Sequence, residues 1–182
     1  MRELIFSKAE IRHTECLVEL INSAYRGEPS KLGWTTEADL LDGRRTDAKE
    51  IRDLLADEDS MIMLCQSGAD LLGSVHLQKT GERVQIGMLA VSPPLQGRGI
   101  GKQLLQAAEL AAQEAWAVNR FVMSVIPQRR ELIAFYERRG YRRTGVSKAF
   151  PENPELWAPK VDGLRLELLE KVLRLDVSKI GP

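Results

Sequence analysis

The chain has 182 residues, 43% of them hydrophobic, and its 26 basic and 26 acidic side chains leave no formal net charge. That length and apolar share can bury a full core, which argues against wholesale disorder, and the balanced charge argues against nucleic acid as a partner. No apolar run approaches the ~20 residues of a membrane span, the N-terminus lacks an apolar signal core, and Cys16, Cys65, His13 and His76 show no metal-ligand spacing, so the expectation is one cytoplasmic domain over residues 1–182 with no metal, no membrane partner and two reduced, buried thiols.

"ELIFSK" is the first strand candidate. From Glu10 to Tyr25, Ile11, Thr14, Leu17, Val18, Ile21, Ala24 and Tyr25 recur at helical spacing, and Gly27 and Pro29 stop that helix. Thr36 followed by Asp39 resembles a capping box, which predicts a short helix up to Gly43. Asp47 with Glu50 marks a second helix start, and Ile51, Leu54 and Leu55 form its apolar side. The period then changes. "MIMLCQS", "LLGSVHLQK" and "RVQIGMLAVS" are strand-like, and the short Gly-containing separators "GAD" and "TGE" suit hairpins.

From Ile100 a helical stripe runs through Leu104, Leu105, Ala108, Ala111, Ala112, Ala115 and Trp116, with Gln103, Gln106, Glu109 and Gln113 opposite. "RFVMSVI" is apolar almost throughout, as a buried central strand should be. "QRRELIAFYERRG" is a helix with Gly140 as its C-terminal cap. "YRRTGVSKAF" starts another strand, "PENPELWAPKVDG" is a Pro-rich loop, and "LRLELLEKVL" is the closing strand.

The chemistry concentrates in "VSPPLQGRGIGKQLL". Pro93 and Pro94 cannot continue a strand ladder, so the fourth strand should end near Ser92. Gly97, Gly99 and Gly101 let backbone N–H groups converge, and the helix that follows adds unpaired N–H groups and the positive end of its dipole. Arg98 and Lys102 add formal charge, so the loop suits a phosphate or pyrophosphate. The bland alternative is a tight strand-to-helix turn. A Walker loop is excluded, because Gln103 follows Gly101-Lys102 and position 96 is Gln. The dinucleotide fingerprint fails too, since the glycines stand at 97, 99 and 101 after an antiparallel meander.

"QGRGIG" resembles the Q/R-x-x-G-x-G/A loop of the GNAT superfamily of acyl-CoA N-acyltransferases. "LIAFYERRGY" resembles that family's later helix, and "LRLELLEKVL" its closing strand. The resemblance implies an α/β fold of the α+β type: a mixed, mostly antiparallel sheet of six to seven strands flanked by about four helices, splayed between strands four and five. It implies acetyl-CoA as co-substrate, with the pyrophosphate on Gln96, Gly97, Arg98, Gly99, Ile100, Gly101 and Lys102, and pantetheine along Leu89, Ala90 and Val91. A bulge belongs in that strand, where Gly87 would tolerate it. Tyr136 takes the place of the family's tyrosine acid, against a plain core role. Gln85 stands where many members have a glutamate base, and Arg129 where many have an asparagine that contacts coenzyme A.

The resemblance puts the acceptor near "GWTTEADLLDGRRTD", a segment similar to the Gly-Trp-Thr-x-Glu stretch of one subset of the family. Trp34 would form an apolar wall, Glu37 would bind an ammonium or act as base, and Arg45 would clamp a carboxylate. Helix capping and surface packing would account for the same residues. Trp157 would sit on the opposite lip. The leading reading is acetyl transfer to the primary amine of a small molecule or peptide, with a homodimer compatible with it; the alternative is an acetyl-CoA sensor without turnover.

Overall fold

The computed structural model describes residues 3–174. In chain order its first half runs β1 (Ile5–Lys8), α1 (Thr14–Tyr25), α2 (Gly27–Ser30), β2 (Leu41–Gly43), α3 (Ala48–Ala56), β3 (Ser60–Ser67), β4 (Asp70–Thr80) and β5 (Arg83–Val91). Then follow α4 (Ile100–Trp116), β6 (Arg120–Val125), α5 (Arg130–Glu137), β7 (Arg142–Ala149), β8 (Trp157–Pro159) and β9 (Arg165–Val172). Seven strands make one sheet in the order β1-β3-β4-β5-β6-β9-β7. Among the described residues only β5 and β6 pair in parallel; the other ladders are antiparallel. The expected fold class is therefore the one observed.

Side-chain alternation sorts the core onto the two faces of the sheet. Along β3, Met61, Met63 and Cys65 pack with Leu104, Leu105 and Ala108 of α4, while Ile62 and Leu64 pack with Leu17 and Ile21 of α1. In β5 the alternation changes phase midway. Val84 and Ile86 lie on the α4 side, Met88 and Ala90 on the α1 side, and Val91 is back on the α4 side. A bulge causes the switch. Ser74 pairs with Ala90 and His76 with Gly87, so Met88 and Leu89 together face only Val75. The left-handed backbone falls on Met88, at φ 47°, one residue past the glycine that seemed suited to it.

Pairing of β5 with β6 stops at Ile86–Met123, although both strands continue. The sheet therefore splits beside the bulge, as expected between the fourth and fifth sheet strands.

Three local expectations fail. The segment before Gly43 is a turn and then β2, which pairs with β8 inside the Pro-rich loop. Leu41 is buried there, and Thr36 Oγ1 accepts the Ala38 N–H (3.0 Å), capping a turn rather than a helix. Gly43 sits at φ +90°, and a Cβ would lie 2.2 Å from the Leu156 carbonyl oxygen, so only glycine lets these two strands meet. Glu109, placed on the polar side of α4, is buried; it accepts the Tyr141 hydroxyl (2.6 Å) and pairs with Lys171 (2.7 Å). Cys65 is buried as expected, but Cys16 is exposed.

Gly140 does close α5. The Gly140 N–H donates to the Glu137 carbonyl (3.0 Å) and the Tyr141 N–H to the Tyr136 carbonyl (3.2 Å), a Schellman arrangement. Its apolar contact is the Tyr136–Tyr141 ring pair, with centroids 5.9 Å apart.

Candidate active site

The loop after β5 is built to leave donors free. Gly97 and Gly99 have φ of 77° and 82°, and Gly99 is the N-cap of α4. A Cβ at either would meet nothing within 4 Å, so the backbone angle alone demands glycine there. The first amide of α4 to find a carbonyl is Gln103, on Gly99 (3.2 Å). Among the described residues, none of the amide N–H groups of residues 97–102 donates a hydrogen bond.

These amides border a cavity of about 350 Å³ between β5, α4 and α5. Leu89, Val91, Gln96, Gly97, Gly99, Ile100, Gly101 and Lys102 line it. Its cations are Lys102, Arg138 and Arg139, and no carboxylate is in the lining. Arg139 lies over the Phe135 ring at 3.4 Å. Gln96 braces the wall: its side chain accepts the Thr35 N–H (3.2 Å) and donates to the Val91 carbonyl (3.1 Å). Gly33 makes room for this brace, since a Cβ there would lie 2.6 Å from Gln96 Oε1.

A second cavity, about 380 Å³, opens on the other side of the split. It shares Leu89 and Leu132 with the first. Its polar wall is a buried cluster. Glu37 Oε2 pairs with Arg26 (2.9 Å) and Glu37 Oε1 with Arg129 (2.8 Å), and all three are at least 94% buried, with exposures of 6%, 4% and 6%. Two guanidiniums lie over the Tyr25 ring, Arg45 at 5.7 Å and Arg129 at 5.6 Å from its centroid, and the Tyr25 hydroxyl donates to the Leu89 carbonyl (3.2 Å). Arg45 has no carboxylate partner among the described residues. Arg26 Nη1 and Ser124 Oγ are buried without a hydrogen-bond partner.

His76 also lines this cavity, with Nε2 2.9 Å from Ser60 Oγ. Burial, reinforced by the positive charge of Arg45, lowers its pKa to about 4, so the ring is neutral near pH 7. Tyr136 lines the same cavity beneath α5. Burial pushes its hydroxyl well above the usual tyrosine range, with Tyr25 adding to the effect, so it remains protonated.

Four expected site residues fall elsewhere. Trp34 belongs to the first cavity, with its ring 6.0 Å from Phe135, and not to the second. Arg129 is in the second cavity, held by Glu37 and Thr35, away from the glycine loop. Ala90 is buried on the α1 face after the bulge, and Arg98 is exposed outside the cavity lining. Glu37 and Arg45 do meet in the second cavity, but both oxygens of Glu37 are taken by arginines. Tyr25, Arg26 and His76 are the additions that sequence reading passed over. Tyr25 and Arg26 looked like the end of an amphipathic helix, and His76 looked like a strand residue. Among the described residues no group of His, Cys, Asp or Glu could hold a metal ion, and no helix is long and apolar enough to cross a membrane.

The family model described as Acetyltransferase (GNAT) family matches residues 18–141. Curated protein sequences give no match. Solved structures resemble the fold. The ribosomal-protein-S18-alanine N-acetyltransferase of Escherichia coli has a TM-score of 0.70 at 11% identity, covering 99% of this chain and 100% of its own. The PaiA N-acetyltransferase of Thermoplasma acidophilum, in complex with coenzyme A, has a TM-score of 0.64 at 16% identity, covering 94% and 99%. A GNAT family acetyltransferase of Elizabethkingia anophelis with acetyl-CoA bound has a TM-score of 0.56 at 22% identity, covering 69% and 82%.

Proposed function

The chain belongs to the GNAT acetyltransferase family, and from that premise we propose that it moves the acetyl group of acetyl-CoA directly to a primary amine held in the second cavity. The observation that carries this reading is the meeting of two cavities at Leu89 and Leu132, in the split between β5 and β6. One is lined by free amides and cations, which suits a pyrophosphate. The other is polar on one side, at Arg26, Glu37, Arg45 and Arg129, and apolar on the other, at Phe150 and Trp157. Leu89 belongs to the bulge and has no ladder partner in β4, so β5 can offer its backbone to pantetheine there. In this reading the glycine loop grips the diphosphate, with Lys102 and Arg139 neutralising it.

The amine nitrogen attacks the thioester carbonyl carbon, forming a C–N bond and an oxyanion. A backbone N–H of the bulge near Leu89 stabilises that oxyanion. The C–S bond then breaks, its electron pair goes to sulfur, and the Tyr136 hydroxyl gives the thiolate its proton. The proton shed by the amine nitrogen restores the phenol. The cycle closes without a glutamate base, which suits Gln85, whose amide cannot take a proton usefully. Products are an N-acetylated amine and free coenzyme A. The test is coenzyme A release from acetyl-CoA across a panel of amines, amino acids and peptides. Release that depends on the amine supports the reading; acetyl-CoA binding with no release for any acceptor would leave a sensor instead.

A further inference from the structure

We infer that the acceptor is a small primary amine bearing a carboxylate, and that Arg45 holds that carboxylate. The inference rests on the acetyl-transfer reading above and names its acceptor class.

Charge is the first argument. The second cavity is lined by Arg26, Arg45, Arg129 and Lys148 against one carboxylate, Glu37. Both Glu37 oxygens are consumed, one by Arg26 and one by Arg129. An ammonium entering the cavity finds no free anion, whereas a carboxylate finds unneutralised guanidiniums. Arg45 is half-buried and has no carboxylate partner among the described residues.

The second argument is an unfilled bond. Arg26 is 4% exposed, and its Nε and Nη2 are satisfied by Glu37 while Nη1 has no acceptor. That N–H has almost no accessible surface, so it touches no ligand, but it leaves Arg26 incompletely neutralised and adds to the positive charge that an incoming carboxylate offsets. Size is the third. A volume of about 380 Å³ fits one small molecule. Phe150 and Trp157, with ring centroids 6.1 Å apart, supply an apolar surface in the same cavity for the acceptor's body.

The same charge excess serves the chemistry. Uncompensated cations lower the pKa of an amine brought among them, so more of it is neutral and able to attack. A carboxylate on the acceptor offsets only part of that excess. The flat carboxylate suits the edge of a guanidinium.

The test compares leucine, methionine and phenylalanine with isoamylamine, 3-(methylthio)propylamine and phenethylamine, using coenzyme A release at saturating acetyl-CoA. Phenylalaninamide and O-phosphoethanolamine complete the set. The carboxylates should exceed the matched amines by about 100-fold in kcat/KM, and Arg45→Gln should shrink that ratio to within about threefold. Decarboxylated amines, the amide or phosphoethanolamine performing as well as the carboxylates would overturn the inference while leaving acetyl transfer intact. Calorimetry with the coenzyme A-loaded protein gives a readout independent of turnover. The N-acetyl derivatives of the three amino acids should bind, N-phenethylacetamide should not, and R45Q should abolish the binding. No binding by any of the three derivatives would also overturn it. Binding of those derivatives without coenzyme A release from any amine would keep the carboxylate site and remove the transfer reading.

Discussion

Glu37 and Arg129 stand 92 residues apart in the chain, yet Glu37 Oε1 accepts from Arg129 Nη1 at 2.8 Å in a buried site. Arg26 holds the other Glu37 oxygen at 2.9 Å, so one carboxylate ties the end of α1 to the start of α5. Breaking a buried pair leaves a charge without a partner, which costs about 3–5 kcal/mol. Glu37→Gln should therefore destabilise the fold by that order in urea unfolding. Because buried pairs are weakly screened, about 0.5 M NaCl should change wild-type stability little through this cluster.

Tyr136→Phe keeps a ring in edge contact with Phe135 and Tyr141, whose centroids are 5.2 and 5.9 Å away, and removes only the hydroxyl. If that hydroxyl protonates the leaving thiolate, kcat should fall by about 100-fold, with KM for acetyl-CoA nearly unchanged. An unchanged rate of coenzyme A release would leave Tyr136 with its core role alone.

At Gly99 the backbone φ is +82°, which a side chain adopts only under strain. Gly99→Ala should cost about 1–2 kcal/mol in the loop and disturb the free amides of residues 97–102. The expected result is weaker coenzyme A binding in calorimetry, with only a modest loss of melting temperature.

His76 links stability to pH. Its folded pKa is lowered to about 4 by burial first and by Arg45 second, below the ordinary value of about 6.5 for an unfolded chain. The unfolded state therefore binds the extra proton between those values. The contribution is full above pH ~6.5 and is lost as pH falls towards about 4, by about 3 kcal/mol at most. His76→Gln should flatten the fall in urea midpoint between about pH 7 and pH 5 relative to wild type. Equal slopes for the two proteins would show that other groups carry the acid sensitivity.

The donor side was legible because its signals are local. Gly97, Gly99 and the α4 start lie within a few residues, and backbone amides bind phosphate whatever the rest of the chain does. The meander, the apolar strand β6 and the Gly140 cap were readable for the same reason, since period and turn chemistry act over short separations. Local signals misled in two places. Thr36 and Asp39 suggested a helix, but Leu41 and Gly43 find a strand partner in β8 more than a hundred residues later. Glu109 had the spacing of a solvent residue, but Tyr141 meets it from the end of α5 and Lys171 from β9.

The sequence by itself determined most of the strands, the main helices and a glycine loop ready for an anion, because each follows from periodicity or from the backbone freedom of single residues, while the single mixed sheet was implied only by the family resemblance. Tertiary structure alone decided the second cavity. Whether Glu37 is a free base or a bound counter-ion depends on Arg26 and Arg129 converging on it from separate elements. Whether Trp34 lines the first cavity or the second depends on Phe135 of α5. Charges and rings act through space over a few ångströms, and only the folded chain sets those distances.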